Sequence, residues 1–218
     1  ADNETIMPII SAVRYSLIET QLIAGIIDIV PSYQTVLLHF HLAKTNYQQI
    51  TAQLNTHIQS ILATTAKQQL KPTECITLPA CYHPSLDLDI DLLAQHSHLS
   101  HSDIRDLHSQ TTYTCYAIGF MPSFGYLGDL DSRLHMPRHR TPRAKVAAGS
   151  IAIADNQTAV YPQDSPGGWH IIAKTPVSMF SHSANGLIQG RLQVGCQVQF
   201  KPINLTEYQE LLILSCEK

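Results

Sequence analysis

Apolar residues recur at helical spacing in the first stretch of the chain, at Ile6, Ile9, Ile10, Val13, Leu17 and Ile18, which predicts a helix over residues 5–20. Pro8 fits inside its first turn. The run Leu22 to Val30 is β-branched, and Pro31-Ser32-Tyr33 turns it into a second run, Thr35 to His41, so two tightly joined strands are expected. His39 and His41 alternate onto one strand face. No third ligand stands at an evident spacing, so a solvated face is the plainer reading than a metal. From Asn46 to about Lys67, Ile50, Leu54, Ile58, Ile61 and Leu62 mark one side of an amphipathic helix. Lys71-Pro72 interrupts the pattern, which places a small α/β domain at 1–72 and a second domain at 73–218.

Short elements follow. Glu74 to Leu78 reads as a strand and Asp87 to Gln95 as a helix with acids in its first turn. Ser100 and Asp103 have the spacing of a capping box. The neighbouring His96, His98 and His101 straddle a helix-to-helix corner, where polarity explains them better than a metal. Thr112 to Ile118 is strand-like. Ser150 to Ala154 and Gln157 to Tyr161 flank Asp155-Asn156, a two-residue hairpin turn. His170 to Ala173, Val177 to Phe180 and Gln193 to Pro202 continue as strands, and 205–216 as a terminal helix. Such a run of short strands predicts a mainly-β barrel or sandwich behind an α+β N-terminal domain.

Composition narrows the function. Of 218 residues, 44% are hydrophobic and 14% charged, and the formal net charge is −3. Nucleic-acid binding needs a large positive field and is not expected. The first basic residue is Arg14, and no apolar run approaches the roughly 20 residues of a membrane span, so a cytoplasmic location is expected. Five scattered cysteines without a C-x-x-C pair read as buried thiols rather than a zinc or redox motif.

The candidate chemistry lies between Gly119 and Pro176. Phe120, Phe124 and Tyr126 form either an apolar pocket wall or barrel core. Arg138 and Arg143 each follow a proline and suit a carboxylate or phosphate. Their odd separation lets them converge only if the chain bends at Thr141-Pro142. Arg140 and Lys145 read as solvated. Gln157 and Tyr161, four apart on one strand, suit a small amide or lactam, or are simply an exposed polar pair. Gly167-Gly168 permits an anion-holding nest or a tight turn beneath Trp169. His108 is the acid–base candidate by residue type, against a helix-end histidine favoured by the dipole. No phosphate loop, G-x-S-x-G elbow or H-E-x-x-H helix is present, and no metal is expected.

These segments resemble one family. Gly119 to Leu127 (GFMPSFGYL), Pro137-Arg138 with Pro142-Arg143, Gly149 to Ala154 (GSIAIA), Gln157 to Pro162 (QTAVYP), Ser165 to Trp169 (SPGGW) and Thr175-Pro176 follow the order and spacing of the KipI family, whose members are also described as the B-type subunit of 5-oxoprolinase or as allophanate hydrolase subunit 1. Ser123 and Gly125 stand where many members have Gly and Pro, and Cys81-Tyr82-His83-Pro84 replaces a glycine-rich acidic segment. The resemblance implies a cyclophilin-like β-barrel and a subunit of an ATP-dependent 5-oxoprolinase, with ATP hydrolysed by the complex. It implies partners that resemble the C-type and A-type subunits of 5-oxoprolinase. It also permits inhibition of a sensor histidine kinase, or a part in urea or allophanate metabolism. On this reading Phe120, Tyr126, Arg138, Arg143, Gln157 and Tyr161 line one concavity with Gly167 and Gly168 at its rim. Arg143→Ala is then expected to weaken ligand binding and leave the fold intact.

Overall fold

The computed structural model describes residues 25–65, 75–182, 186 and 188–216. The helix expected over 5–20 and the start of the strand expected from Leu22 lie outside them. The chain divides into two compact units, Ala1–Thr73 and Glu74–Lys218.

In the first unit, β1 (Ile26–Ser32) and β2 (Thr35–Phe40) form an antiparallel hairpin, with Ser32 opposite Thr35. The two-residue turn takes Tyr33 to φ +49°. Helix α1 (Tyr47–Thr65) follows, and the Asn46 side chain accepts from the Gln49 backbone N–H at 3.0 Å. Ile50, Leu54, Ile58 and Ile61 pack against Ile26, Ile29, Leu38 and Phe40. His39 and His41 are exposed, and among the described residues they belong to no group able to hold a metal.

The second unit is a closed barrel of mixed strands. Its order is β13 (Gln197–Ile203), β3 (Cys75–Cys81), β10 (His170–Lys174), β7 (Ser150–Ala154), β8 (Gln157–Val160), β5 (Gly125–Gly128) and β4 (Thr112–Ile118), and β4 pairs back onto β13. The β13–β3 pair is parallel. The other ladders are antiparallel. Alternation along each strand divides the side chains between two cores. Ile151, Ile153, Val160, Ile172, Val198 and Phe200 fill the interior. Ala152, Ala154, Ala159, Tyr161 and Ile171 face the other way, into a second core with Phe124, Val146 and Trp169. Small alanines on that outer face leave room for the aromatic rings.

Helices α2 (Ile90–Ser97) and α3 (His101–Gln110) contribute Ile90, Leu93 and Ile104 to the interior core. α3 has the full capping box between Ser100 and Asp103. Helix α4 (Leu205–Cys216) ends the chain. Two pairs of short strands lie apart from the barrel ladder: β6 (Arg143–Val146) with β9 (Ser165–Gly167), and β11 (Phe180–His182) with β12 (Ile188–Gly190). The strand expected over Val177–Phe180 therefore starts only at Phe180, because Ser178 bonds locally to the Phe180 backbone. Cys81, Cys115 and Cys196 are buried thiols, whereas Cys75 is exposed. Among the described residues no helix is long and apolar enough to cross a membrane.

His108 belongs to this core. It is 0% exposed and stacks on Phe200 at 4.7 Å between ring centroids. Its Nδ1 lies 2.6 Å from the Tyr82 hydroxyl and its Nε2 2.9 Å from Thr158 Oγ1. Thr158 donates to the Ala152 carbonyl at 3.1 Å, so it accepts from His108, which must carry its proton on Nε2. Nδ1 then accepts from Tyr82. Burial pushes the His108 pKa down from 6.5 to about 3. A neutral imidazole with both nitrogens engaged and no exposed edge cannot shuttle protons for a substrate, so the expected acid–base role fails on access.

The unfolded chain takes up a proton at this histidine below pH 6.5 while the folded chain does not. Its contribution is complete above 6.5 and is lost as pH falls towards 3, by about 1.4 kcal/mol per pH unit. Asp87, raised by burial to about 6, opposes that slope and is common to both proteins in a comparison. Urea unfolding of His108→Gln should show an acid limb between pH 6 and 4 that is shallower than wild type by about one proton. Equal slopes would place the titration elsewhere.

Candidate functional site

The second core defines a face on the outside of the barrel wall. The segment Gly119 to Phe124 closes on itself through Gly119 N–H to Phe124 O at 3.1 Å, with Phe120 at φ +64° and Ser123 at φ +66°. Glycine takes such a backbone without strain, so a glycine in place of Ser123 would suit this turn. The turn buries Phe124 and leaves Phe120 63% exposed, edge-on to it at 5.4 Å. Phe124 also meets Tyr126, Tyr161 and Trp169 at 5.0, 5.4 and 5.7 Å. One aromatic cluster thus reaches from the core to the surface.

Two arginines border it. The chain bends at Arg140 and Thr141, and both Arg138 and Arg143 act electrostatically on the Tyr161 hydroxyl. Arg138 is exposed, its guanidinium carbon 5.6 Å from the Trp169 ring centre, and Asp155 approaches it only to 3.7 Å. Gln157 stands half-buried at the same hairpin, two residues from Asp155. Arg140 is exposed, and Lys145 pairs with Asp164 at 2.7 Å.

Arg143 turns inward. Its Nη2 binds Asp89 Oδ1, and its Nη1 lies 3.0 Å from His139 Nε2. Asp89 is 1% exposed. It sits at the start of α2 without capping it; instead Oδ2 accepts from the Ile171 backbone N–H at 2.7 Å, while its own N–H donates to Ile171 O at 2.9 Å. β10 pairs with β3 only at Lys174, so Asp89 supplies the missing ladder partner at Ile171. Burial pushes the Asp89 pKa up, but the Arg143 hydrogen bond, the Ile171 amide and the positive charge of Arg143 hold it below 3.8, and His139 acts in the same direction when it carries a second proton. His170 completes the group, its ring 3.8 Å from that of His139.

The glycines act sterically. A Cβ on Gly167 would collide with the Tyr161 hydroxyl and ring edge, and the Gly168 carbonyl accepts from His139 N–H at 2.8 Å. Neither has the left-handed backbone that an anion nest requires. Of the two readings open at Gly167-Gly168, the nest is not formed; Gly167 ends a short paired strand and lies opposite Arg143. Phe120, Tyr126, Arg138 and Tyr161 come together on this face, and Gln157 lies at its hairpin edge. Arg143 stands behind it and His108 does not reach it. Sequence reasoning passes over Asp89, His139, His170 and Trp169 as site residues. Asp89 is 54 positions from Arg143 and carries no local signal, whereas Trp169 and His170 directly follow the glycine pair.

The sequence matches the family described as carboxyltransferase domain, subdomain C and D, over residues 3–188, and the chain belongs to that family. Two curated relatives are named as the B subunit of 5-oxoprolinase. The one from Bacillus subtilis is 30% identical across 94% of this chain and 87% of its own length. The one from Escherichia coli O157:H7 is 39% identical across 58% of this chain and 57% of its own. Among solved structures, TTHA0988 matches at 25% identity and TM-score 0.75 over 91% of this chain, which spans 37% of that protein. PH0987 from Pyrococcus horikoshii matches at 30% identity and TM-score 0.57, over 91% of this chain and 88% of its own. Urea amidolyase of K. lactis, at 17% identity, has the same fold with TM-score 0.73 across 98% of this chain and 14% of its own.

Because Asp89 is enclosed, Arg143→Ala should destabilise the fold, where the sequence-based expectation leaves it largely intact. Removing one partner of a buried ion pair costs about 3–5 kcal/mol, the lower part of the range applying because Arg143 is partly exposed. A depressed Asp89 pKa contributes stability above its unfolded value, lost as pH falls through the folded one. The deficit of Arg143→Ala in urea unfolding should therefore be full at pH 7 and shrink as acid protonates first the unpaired carboxyl of the variant and then the paired one of wild type. A deficit unchanged by acid would exclude the ion pair as its cause.

Proposed function

We propose that this chain is the B-type subunit of an ATP-dependent 5-oxoprolinase, acting with partners that resemble its C-type and A-type subunits. The observation that carries the reading is the relation to a 5-oxoprolinase B subunit along nearly the whole chain. The reaction adds water across the lactam C–N bond of 5-oxoproline to give glutamate, coupled to hydrolysis of ATP to ADP and phosphate. Amide resonance makes that bond resistant, and transfer of the γ-phosphoryl group from ATP to the lactam oxygen would end that resonance. Water then adds to the carbon, the ring nitrogen leaves with a proton, and the resulting acyl phosphate is hydrolysed to glutamate and phosphate. This chain has no phosphate loop and no nucleophile elbow, in keeping with a site completed by partners.

Its own contribution would be to bind the ring. Phe120 and Tyr126 offer an apolar wall, Gln157 an amide to read the lactam, and Arg138 a guanidinium for the carboxylate. Arg138 suits this better than Arg143, whose charge already serves Asp89. Tyr161, with its pKa raised by burial, stays a neutral phenol at the base of the face. The cyclophilin-like character of the barrel belongs to this reading. Kinase inhibition and a role with urea or allophanate rest on family resemblance, and no contact in the site favours either.

Mixed with its two partners, the chain should release glutamate from 5-oxoproline only when ATP is present. A charged hydrogen bond contributes about 1.5–3 kcal/mol, so Arg138→Ala should raise KM for 5-oxoproline by about tenfold or more. Arg140→Ala should change it by less than about twofold. No ATP-dependent turnover in any combination of the three would sink the proposal. Equal effects of the two arginine variants would remove Arg138 from it.

A further inference from the structure

Behind the aromatic face, Asp89, His139 and His170 each offer one ligand atom, all within 4.8 Å of one another. We propose that these three residues bind a divalent late first-row cation, Zn²⁺ by donor type, and that Arg143 occupies the carboxylate when the metal is away. Two imidazoles and a carboxylate form a donor set for that class of ion.

The tautomers favour it. His170 Nε2 lies 2.9 Å from the Pro137 carbonyl, which can only accept, so the ring proton resides on Nε2. Its Nδ1 lone pair is therefore free, and among the described residues it is a buried polar atom with no hydrogen-bond partner. Leaving such an acceptor empty is costly, and metal-ligating histidines are oriented through the opposite nitrogen by a backbone carbonyl or carboxylate. His139 Nε2 faces Arg143 Nη1, a donor only, so it too presents a lone pair to the cluster. Asp89 takes only donors, the Arg143 guanidinium on Oδ1 and the Ile171 N–H on Oδ2, as an ionised carboxylate does.

The objection is Arg143, a cation bound to the same carboxylate oxygen. Its side chain is 29% exposed while that of Asp89 is 0%, so the guanidinium can leave towards solvent and the carboxylate cannot follow. Ligand atoms of tetrahedral Zn²⁺ lie about 3.3 Å apart at bond lengths near 2.0–2.2 Å; His139 Nε2 and Asp89 Oδ1 are already 3.4 Å apart, and the widest pair must close by up to about 1.5 Å. His139, 20% exposed and without the carbonyl anchor of His170, is the ring with freedom to do so. A metal held by three protein atoms keeps a further position for water or another ligand. This site does not depend on the lactam reading, and its test uses no substrate.

The full chain, stripped with EDTA, should bind one equivalent of Zn²⁺ in calorimetry. With Co²⁺ it should give the visible absorption of a four-coordinate ion. His170→Gln and His139→Gln should each weaken binding at least tenfold, whereas the exposed pair His39→Gln/His41→Gln should leave it unchanged. Arg143→Gln should bind Zn²⁺ at least tenfold more tightly, and Zn²⁺ should recover thermal stability that this variant loses. That gain reads the site even if a histidine variant fails to fold. Absence of stoichiometric binding by both wild type and Arg143→Gln overturns the proposal. So does binding that survives both cluster-histidine substitutions, since the ion would then sit on surface histidines.

Discussion

The outer layer of the second unit depends on one buried carboxylate. Asp89 replaces a strand partner for Ile171 and holds the guanidinium of Arg143. Through Arg143 it fixes the start of β6, which pairs with β9 and so sets where Gly167 and Trp169 lie. An anion 1% exposed survives only because backbone and side-chain donors and a positive charge replace water. The sheet edge, the helix start and the covering strands are therefore joined electrostatically at one point.

The barrel interior follows a different logic. There a polar chain runs from Tyr82 through His108 and Thr158 to the Ala152 carbonyl, every donor meeting an acceptor. Such a connected network is tolerated in an apolar core only when complete. His108 and Asp89 thus illustrate two treatments of a buried titratable group: one kept neutral by burial, the other kept charged by pairing.

How much is legible in the sequence follows from the range of each interaction. The hairpin across Asp155-Asn156, the Ser100 capping box and helix α4 are set by neighbours and by periodicity, and their places can be read. The odd arginine spacing asks for a bend at Thr141-Pro142 if both arginines are to converge; the chain bends at Arg140 and Thr141, yet Arg143 turns inward to Asp89. The roles of Arg143 and His108 cannot be read that way. Each depends on a partner at a distance, Asp89 at 54 positions and Thr158 at 50, and neither pairing leaves a local pattern. Gly167-Gly168 misleads for a related reason. Glycine signals a close approach or an unusual backbone, and here only the Tyr161 hydroxyl, brought by the fold, decides that it is the former.

These distinctions separate the two arginines that the sequence presents as equals. Arg143 commits its charge inside, where Asp89 and the two histidines already define its surroundings. Arg138 lies over Trp169 in contact with solvent, held by Asp155 at 3.7 Å. An incoming carboxylate at Arg143 would compete with a buried anion whose other neighbours are two imidazoles and not a permanent cation. At Arg138 it would displace a loose, exposed contact of the kind that contributes less than about 1 kcal/mol. If this face binds an anion as proposed, the choice between the two guanidinium groups rests on which is already committed, a property of the fold rather than of the Pro-Arg motif that both share.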